Sequence, residues 1–140
     1  MNNLKRDVCV SVYTVQKDED GKSEIKASYD GVMYLKSGIY YIFYTEYSED
    51  GEQTAQCRIK CSKGEVEIRR EGSYSSRLCF EAGKTYKTVY NTPYGTMPVS
   101  IKAKTVVVAV DENGGKILLD YSMSLAGKDF QNNVTIALEV

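Results

Sequence analysis

The sequence predicts an all-β fold: one domain over residues 1–140, built as a single antiparallel meander of about 8–10 strands closed into a β-barrel. Three observations carry this reading. Apolar and polar residues alternate with period two along nearly the whole chain, clusters of Gly, Asp, Asn and Ser punctuate the alternation, and no stretch holds a helical period. A chain of 140 residues buries roughly two thirds of its unfolded surface, enough for one core without disulfides or metal.

The first strand is expected from Asp7 to Gln16, with Val8, Val10 and Val12 on one face and Lys17 to Gly21 as its turn. The second runs from Glu24 to Lys36, and Asp30-Gly31 in its middle marks a bulge or bend that lets a sheet curl. Ser37-Gly38 makes a tight hairpin into the aromatic strand Ile39 to Glu49, which Asp50-Gly51 turns. The following strand puts Ala55, Cys57, Ile59 and Cys61 on a dry face and Thr54, Gln56, Arg58 and Lys60 on a wet one. Short strands follow at Glu65 to Glu71, Ser76 to Glu81 and Thr85 to Asn91. After Pro93-Tyr94-Gly95, one parity carries Met97, Val99, Ile101, Ala103, Thr105 and Val107, and Asp111 to Gly115 turns the chain. Ile117, Leu119, Tyr121, Met123 and Leu125 answer that strand, and Val134, Ile136, Leu138 and Val140 close the meander. A closed barrel is preferred to two packed sheets because closure removes exposed edges.

Several segments resemble a known family: Gly31-Val32-Met33-Tyr34, Tyr40 to Glu46, Arg69-Arg70-Glu71-Gly72, Leu78 to Gly83, and above all Tyr90-Asn91-Thr92-Pro93-Tyr94-Gly95. Together they are similar to the YwiB-like family of small bacterial proteins with calycin-like barrels. The resemblance implies a lipocalin-like barrel in a Gram-positive type of cytoplasm. It implies no catalytic or binding residues, because that family has no established activity. The wider calycin group often takes small lipophilic ligands inside the barrel, an analogy from fold alone.

Composition excludes several function classes. Lys plus Arg number 18 against 19 Asp plus Glu, a net charge of -1 with no block of like charge, which argues against nucleic-acid and anionic-membrane partners. The start, Met1 to Asp7, has no signal-peptide pattern, so the expected location is cytoplasmic, with the four cysteines as reduced thiols. The absence of histidine removes Ser-His and Cys-His nucleophilic systems and histidine-based metal sites. Cys57 and Cys61 lie roughly 13 Å apart along a strand, too far to share an ion without a bend. Asp18 to Gly21 and Asp111 to Gly114 read as solvated turns rather than calcium loops. No cofactor, metal site or catalytic residue is assigned, and an enzyme is not the expected class.

Two features point to a ligand. Arg70 shares strand parity with Val66 and Ile68, which aims a guanidinium at the barrel interior or mouth, either to grip a carboxylate or phosphate or to pair with a nearby Glu at the rim. The chain holds 12 Tyr against 3 Phe and no Trp, and rings with hydroxyl tips suit a semi-polar cavity as well as a strand surface. The candidate ligand-binding residues are Arg70, Tyr41, Tyr90, Tyr94 and Tyr121. The expected function is non-enzymatic binding of a small lipophilic or amphipathic ligand by a monomer or homodimer. The alternative is a structural or protein-interaction module with a filled core.

Overall fold

The computed structural model describes residues 4–140, and the described residues form ten antiparallel strands with no helix. These are β1 (Leu4–Asp18), β2 (Gly21–Lys36), β3 (Ile39–Tyr47), β4 (Gln53–Ser62), β5 (Glu65–Gly72), β6 (Ser76–Glu81), β7 (Thr85–Thr92), β8 (Gly95–Asp111), β9 (Gly114–Leu125) and β10 (Lys128–Glu139). Met1, Asn2 and Asn3, part of the segment read for a signal peptide, lie outside the described residues. β3 ends before Glu49 because Ser48 opens a turn in which Gly51 N donates to Ser48 O at 2.9 Å and Ser48 N donates to Glu52 O at 2.8 Å. Val140 lies beyond β10 and is 61% exposed, so it does not extend the core row of that strand.

Every strand pairs with its neighbour in sequence except β6 with β7, and β1 pairs with β10, giving the order β6-β5-β4-β3-β2-β1-β10-β9-β8-β7. The meander therefore wraps into a nearly closed barrel with one seam. Ser75 and Asn91 bridge the seam with two backbone hydrogen bonds of 2.9 Å. Past its other end, Gly83 N donates to Ala103 O at 2.8 Å, docking the β6–β7 turn on β8. Closure leaves this short edge unpaired, together with the stretch of β2 before Gly31 on its β3 side.

The alternation works as expected over most of the chain. Val8, Val10, Met33, Ile42, Ile59, Val66, Phe80, Ile101, Ile117 and Ile136 all point inward and form one continuous core. Ile42 and Ile59 face each other across β3 and β4 at 0% exposure, each contributing about 2–3 kcal/mol of burial. One expected row breaks. The β8–β9 register shifts between Ala103 and Thr105, so Thr105 and Val107 turn outward and Val106, Val108 and Val110 pack on the core instead. A bulge flips every later side chain to the other face, and here it sits where β8 receives the β6–β7 turn.

The bulge expected as one option at Asp30-Gly31 is absent: β2 pairs with β1 in unbroken register from Gly21 to Leu35. The β2–β3 ladder ends at the pair Gly31–Tyr44, beyond which β3 parts from β2. Gly31 permits the close approach, since a Cβ there would lie 2.7 Å from Phe43 O and 3.0 Å from Val10 Cγ2.

Candidate functional site

The two ends of the barrel interior differ. The end that carries the β2–β3, β4–β5, β6–β7 and β8–β9 turns is apolar. The other end carries the β1–β2, β3–β4, β5–β6, β7–β8 and β9–β10 turns, and inward parity there places polar groups from five of the ten strands: Gln16, Glu46, Arg70, Tyr90 and Asn132. Tyr29, Tyr44, Cys57 and Tyr121 form a layer just beneath.

Arg70 points inward as its parity predicts, but its charge is already engaged. Its Nη2 lies 3.2 Å from Glu46 Oε2, its Nε donates to the same oxygen at 3.4 Å, and its Nη1 donates to the Tyr74 carbonyl at 2.7 Å. Both partners are half-buried, so the pair sits at the rim, the second of the two arrangements the sequence allows. Cys57 Sγ donates to Glu46 Oε1 at 3.4 Å, and the Tyr29 and Tyr44 rings stack with centroids 4.8 Å apart. The Arg70 charge is thus neutralised within the barrel by Glu46.

Burial sets the protonation of this layer. It raises the Tyr44 and Tyr121 hydroxyls above their ordinary value and, with the Glu46 charge adding to it, pushes the Cys57 thiol up to about 12. Burial alone pushes the Cys61 thiol up to about 11. Tyr90 is raised by burial, and the nearby Arg70 charge opposes the shift. All these groups are neutral at physiological pH, so they meet their surroundings through hydrogen bonds rather than charge. From about pH 9 upward an unfolded chain begins to lose its thiol protons while the folded barrel retains them, so stability falls with rising pH through that range. Native alkylation with iodoacetamide at pH 8, read by peptide mass, is expected to modify exposed Cys9 ahead of half-buried Cys79 and to spare Cys57 and Cys61 until the barrel unfolds.

Asn132 is the most telling residue at this end. Its side chain is 1% exposed and inward, beside Tyr121 in register; Gln16 Nε2 donates to its Oδ1 at 3.0 Å, while its Nδ2 is buried without an acceptor among the described residues. Flipping the amide does not help, because one terminal atom is bonded and the other is not in either orientation. A buried donor left bare is destabilising by about 1–3 kcal/mol and calls for a partner.

The structure brings Arg70, Tyr90 and Tyr121 together and leaves two candidates elsewhere. Tyr90 Oη lies 3.8 Å from Met123 Sδ, and the Tyr121 ring packs on Phe80 with centroids 4.8 Å apart. Tyr41 neighbours inward Ile42 and so stands on the outer face, paired with Tyr34 and Lys60. Tyr94 tips the β7–β8 turn at 96% exposure, outside the interior. Sequence reasoning passed over Asn132, Glu46 and Gln16, although a polar residue on the apolar parity of a strand is a readable signal. Among the described residues, no three metal-ligating side chains converge.

Concavity is found on the outer face. A groove of about 850 Å³ opens where β3 leaves β2, lined by outward residues including Asp7, Cys9, Asp30, Val32, Phe43 and Thr45. Phe43 and Tyr34 meet edge to face beside it, 5.7 Å between centroids.

Comparison with known proteins agrees with this architecture. A family model described as "Domain of unknown function (DUF1934)" matches residues 10–136. The chain is 25% identical over 133 residues to "Uncharacterized beta-barrel protein YwiB" of Bacillus subtilis (strain 168), covering 94% of this chain and 92% of that protein. It is also similar to the crystal structure of ywiB protein from Bacillus subtilis, with a TM-score of 0.86 and 25% identity over 96% of this chain and 92% of that one.

Proposed function

The chain belongs to the DUF1934 family of YwiB-like β-barrels, and from that premise and the polar interior end we propose that it is a non-enzymatic binding protein for a small, neutral, amphipathic molecule. The observation that carries the proposal is the bare Nδ2 of Asn132, buried on the inward face beside Tyr121. A guest with a carbonyl or hydroxyl oxygen would supply the missing acceptor, while the aromatic layer would cover its apolar part. The rim pair of Arg70 and Glu46 would contact the guest's polar edge as a dipole rather than as a free charge. The calycin-like reading of the barrel belongs to this proposal, as does a cytoplasmic location. No helix of the described residues is long and apolar enough to cross a membrane, and the outer face carries Arg58, Lys60, Glu67 and Arg69, side chains a lipid-facing barrel excludes.

Nile red tests the proposal, being flat, uncharged and equipped with a carbonyl oxygen. Saturable one-to-one emission enhancement is expected, weakened at least tenfold by Tyr90→Ala and unchanged by Phe43→Ala on the outer face. Enhancement that never saturates, or that Phe43→Ala removes and Tyr90→Ala does not, would show that the interior takes no guest.

A second reading, an interaction module with a filled core, is favoured by the outer aromatic row at Tyr34, Tyr41 and Phe43 and by the continuous core within.

A further inference from the structure

The first part of β2 has a neighbour on one side only. β1 pairs with it from Gly21 to Leu35, whereas β3 pairs with it only from Gly31 to Lys36. Two turns fix which backbone groups are left open. The two-residue turns Glu19-Asp20 and Ser37-Gly38 close the pairs Asp18–Gly21 and Lys36–Ile39, and a closing pair of this kind is hydrogen-bonded. Counted in twos from there, odd residues of β2 bond to β1 and even residues bond toward β3. Lys22, Glu24, Lys26 and Ser28 therefore aim their N–H and C=O groups away from β1, and among the described residues no strand receives them.

Sheet edges are commonly blunted by proline, by bulges or by lysines. This edge holds no proline and runs in unbroken register with β1, and Glu24 stands between Lys22 and Lys26 on its outer face. On the inward parity Ile25 is 61% exposed, so the β1–β2 hairpin runs past the barrel wall with an apolar side chain uncovered. Lys26 Nζ rests over the Tyr13 ring, 5.1 Å from its centroid, without a carboxylate partner among the described residues. Glu24 bonds to Tyr13 and pairs with its own neighbour Lys22 at 3.4 Å, an exposed contact worth little.

We propose that this edge pairs with the same edge of a second copy of the chain, antiparallel about a twofold axis at Ile25, so that two barrels share one continuous sheet. Bonds form only where even residues face even residues, and the open stretch Lys22–Ser28 is centred on Ile25, so it maps onto itself. Lys22 then meets Ser28 of the copy, and Glu24 meets Lys26 of the copy. Symmetry makes each pair twice. The cross-strand charges are opposite in sign, and Ile25 meets Ile25 of the copy as a non-hydrogen-bonded pair, the kind that brings side chains closest. Neighbouring registers are worse. An axis at Glu24 or Lys26 sets like charges face to face, one at Ser23 shortens the overlap to Gly21–Ile25, and one at Ala27 drives the copy into the lane that β3 holds from Gly31 onward. Past the overlap, Asp20 of the copy approaches Asp30, a like-charged pair in solvent at the end of the ladder, where salt screens it. The edge is separate from the interior site, and the pairing stands or falls without it.

Sedimentation equilibrium of the intact chain over a wide range of concentration tests the proposal. A reversible monomer–dimer equilibrium is expected. Glu24→Lys is expected to weaken it about tenfold, since two attractive cross-strand pairs become repulsive. Glu24→Lys combined with Lys26→Glu should restore it to within about threefold, because the pairs are re-formed with their signs exchanged. Lys26→Pro should abolish it while leaving the far-ultraviolet circular dichroism of the monomer unchanged, as the lost N–H serves no bond within the chain. Position is read by cross-linking in a Cys9→Ser background. Ile25→Cys should give a disulfide-linked dimer under mild oxidation, and Ala27→Cys should not, since Ser23 of the copy faces it. A monomer at every concentration, or a dimer that Glu24→Lys and Lys26→Pro leave intact, would overturn the proposal. Failure of the double exchange to restore the dimer, or cross-linking through Ala27→Cys in place of Ile25→Cys, would overturn it as well.

Discussion

Gly115→Ala is expected to lower the stability of the barrel by about 3 kcal/mol, which for a chain of this length is roughly 10 °C in thermal midpoint. Two causes add at this position. The backbone holds φ at +140°, a conformation that side-chain-bearing residues rarely adopt. A Cβ there would also lie 2.0 Å from Ala109 O and 2.9 Å from Val110 Cα, both main-chain atoms of the facing strand that cannot swing aside. Gly115 pairs with Val110 in the β8–β9 hairpin and with Leu138 of β10, so any shift spreads into two ladders near the dry end of the core. Gly38→Ala is the matched control: φ is also positive, at +80°, but nothing lies within 4 Å of the added carbon. Chemical denaturation of the two variants should separate backbone strain alone from strain plus collision. Equal losses for both would show that the close approach at Gly115 relaxes freely.

Asn132→Leu is expected to raise stability while abolishing guest binding, two effects of opposite sign from one substitution. Leucine has nearly the same shape and replaces a buried donor that lacks an acceptor, so removing it is expected to stabilise the guest-free barrel by about 1 kcal/mol. Gln16 loses the acceptor of its 3.0 Å bond, but its side chain is half-buried and can turn to water. Guest affinity should fall at least tenfold, because the group that recognises the guest's oxygen is gone. Stability measured by denaturant and affinity measured with Nile red give the two readouts. A variant that is destabilised and still binds would make Asn132 a structural residue, its Nδ2 satisfied by solvent.

Parity explains both what the sequence made legible and what it hid. Alternation placed Val8, Ile59, Cys57 and Cys61 inside and Arg58 and Lys60 outside by counting alone, and the same counting aimed Arg70 inward. Counting fails after a bulge. Nothing in Ala103-Lys104-Thr105 announces that β8 skips a residue there, and the main-chain partner beside the shift comes from the distant β6–β7 turn. Tyr41 was open to correction from sequence, since it lies one residue from Ile42 and so on the opposite face. Its aromatic character had outweighed its parity. The Glu46 partner of Arg70 lies 24 positions away and is brought near through the β3–β4–β5 ladders, a distance no local pattern spans. The outer face holds the same case: Arg58, Arg69 and Arg77 are separated in sequence by other residues, and only register makes them neighbours.

The central claim, that the polar end of the interior holds a small neutral guest, is tested most directly by native mass spectrometry of the protein purified from its own cells without denaturation. A reproducible added mass of a small molecule is predicted, released when the protein is unfolded and absent from Asn132→Leu prepared in the same way. A bare chain mass in every preparation, with no added mass on either protein, would contradict the claim.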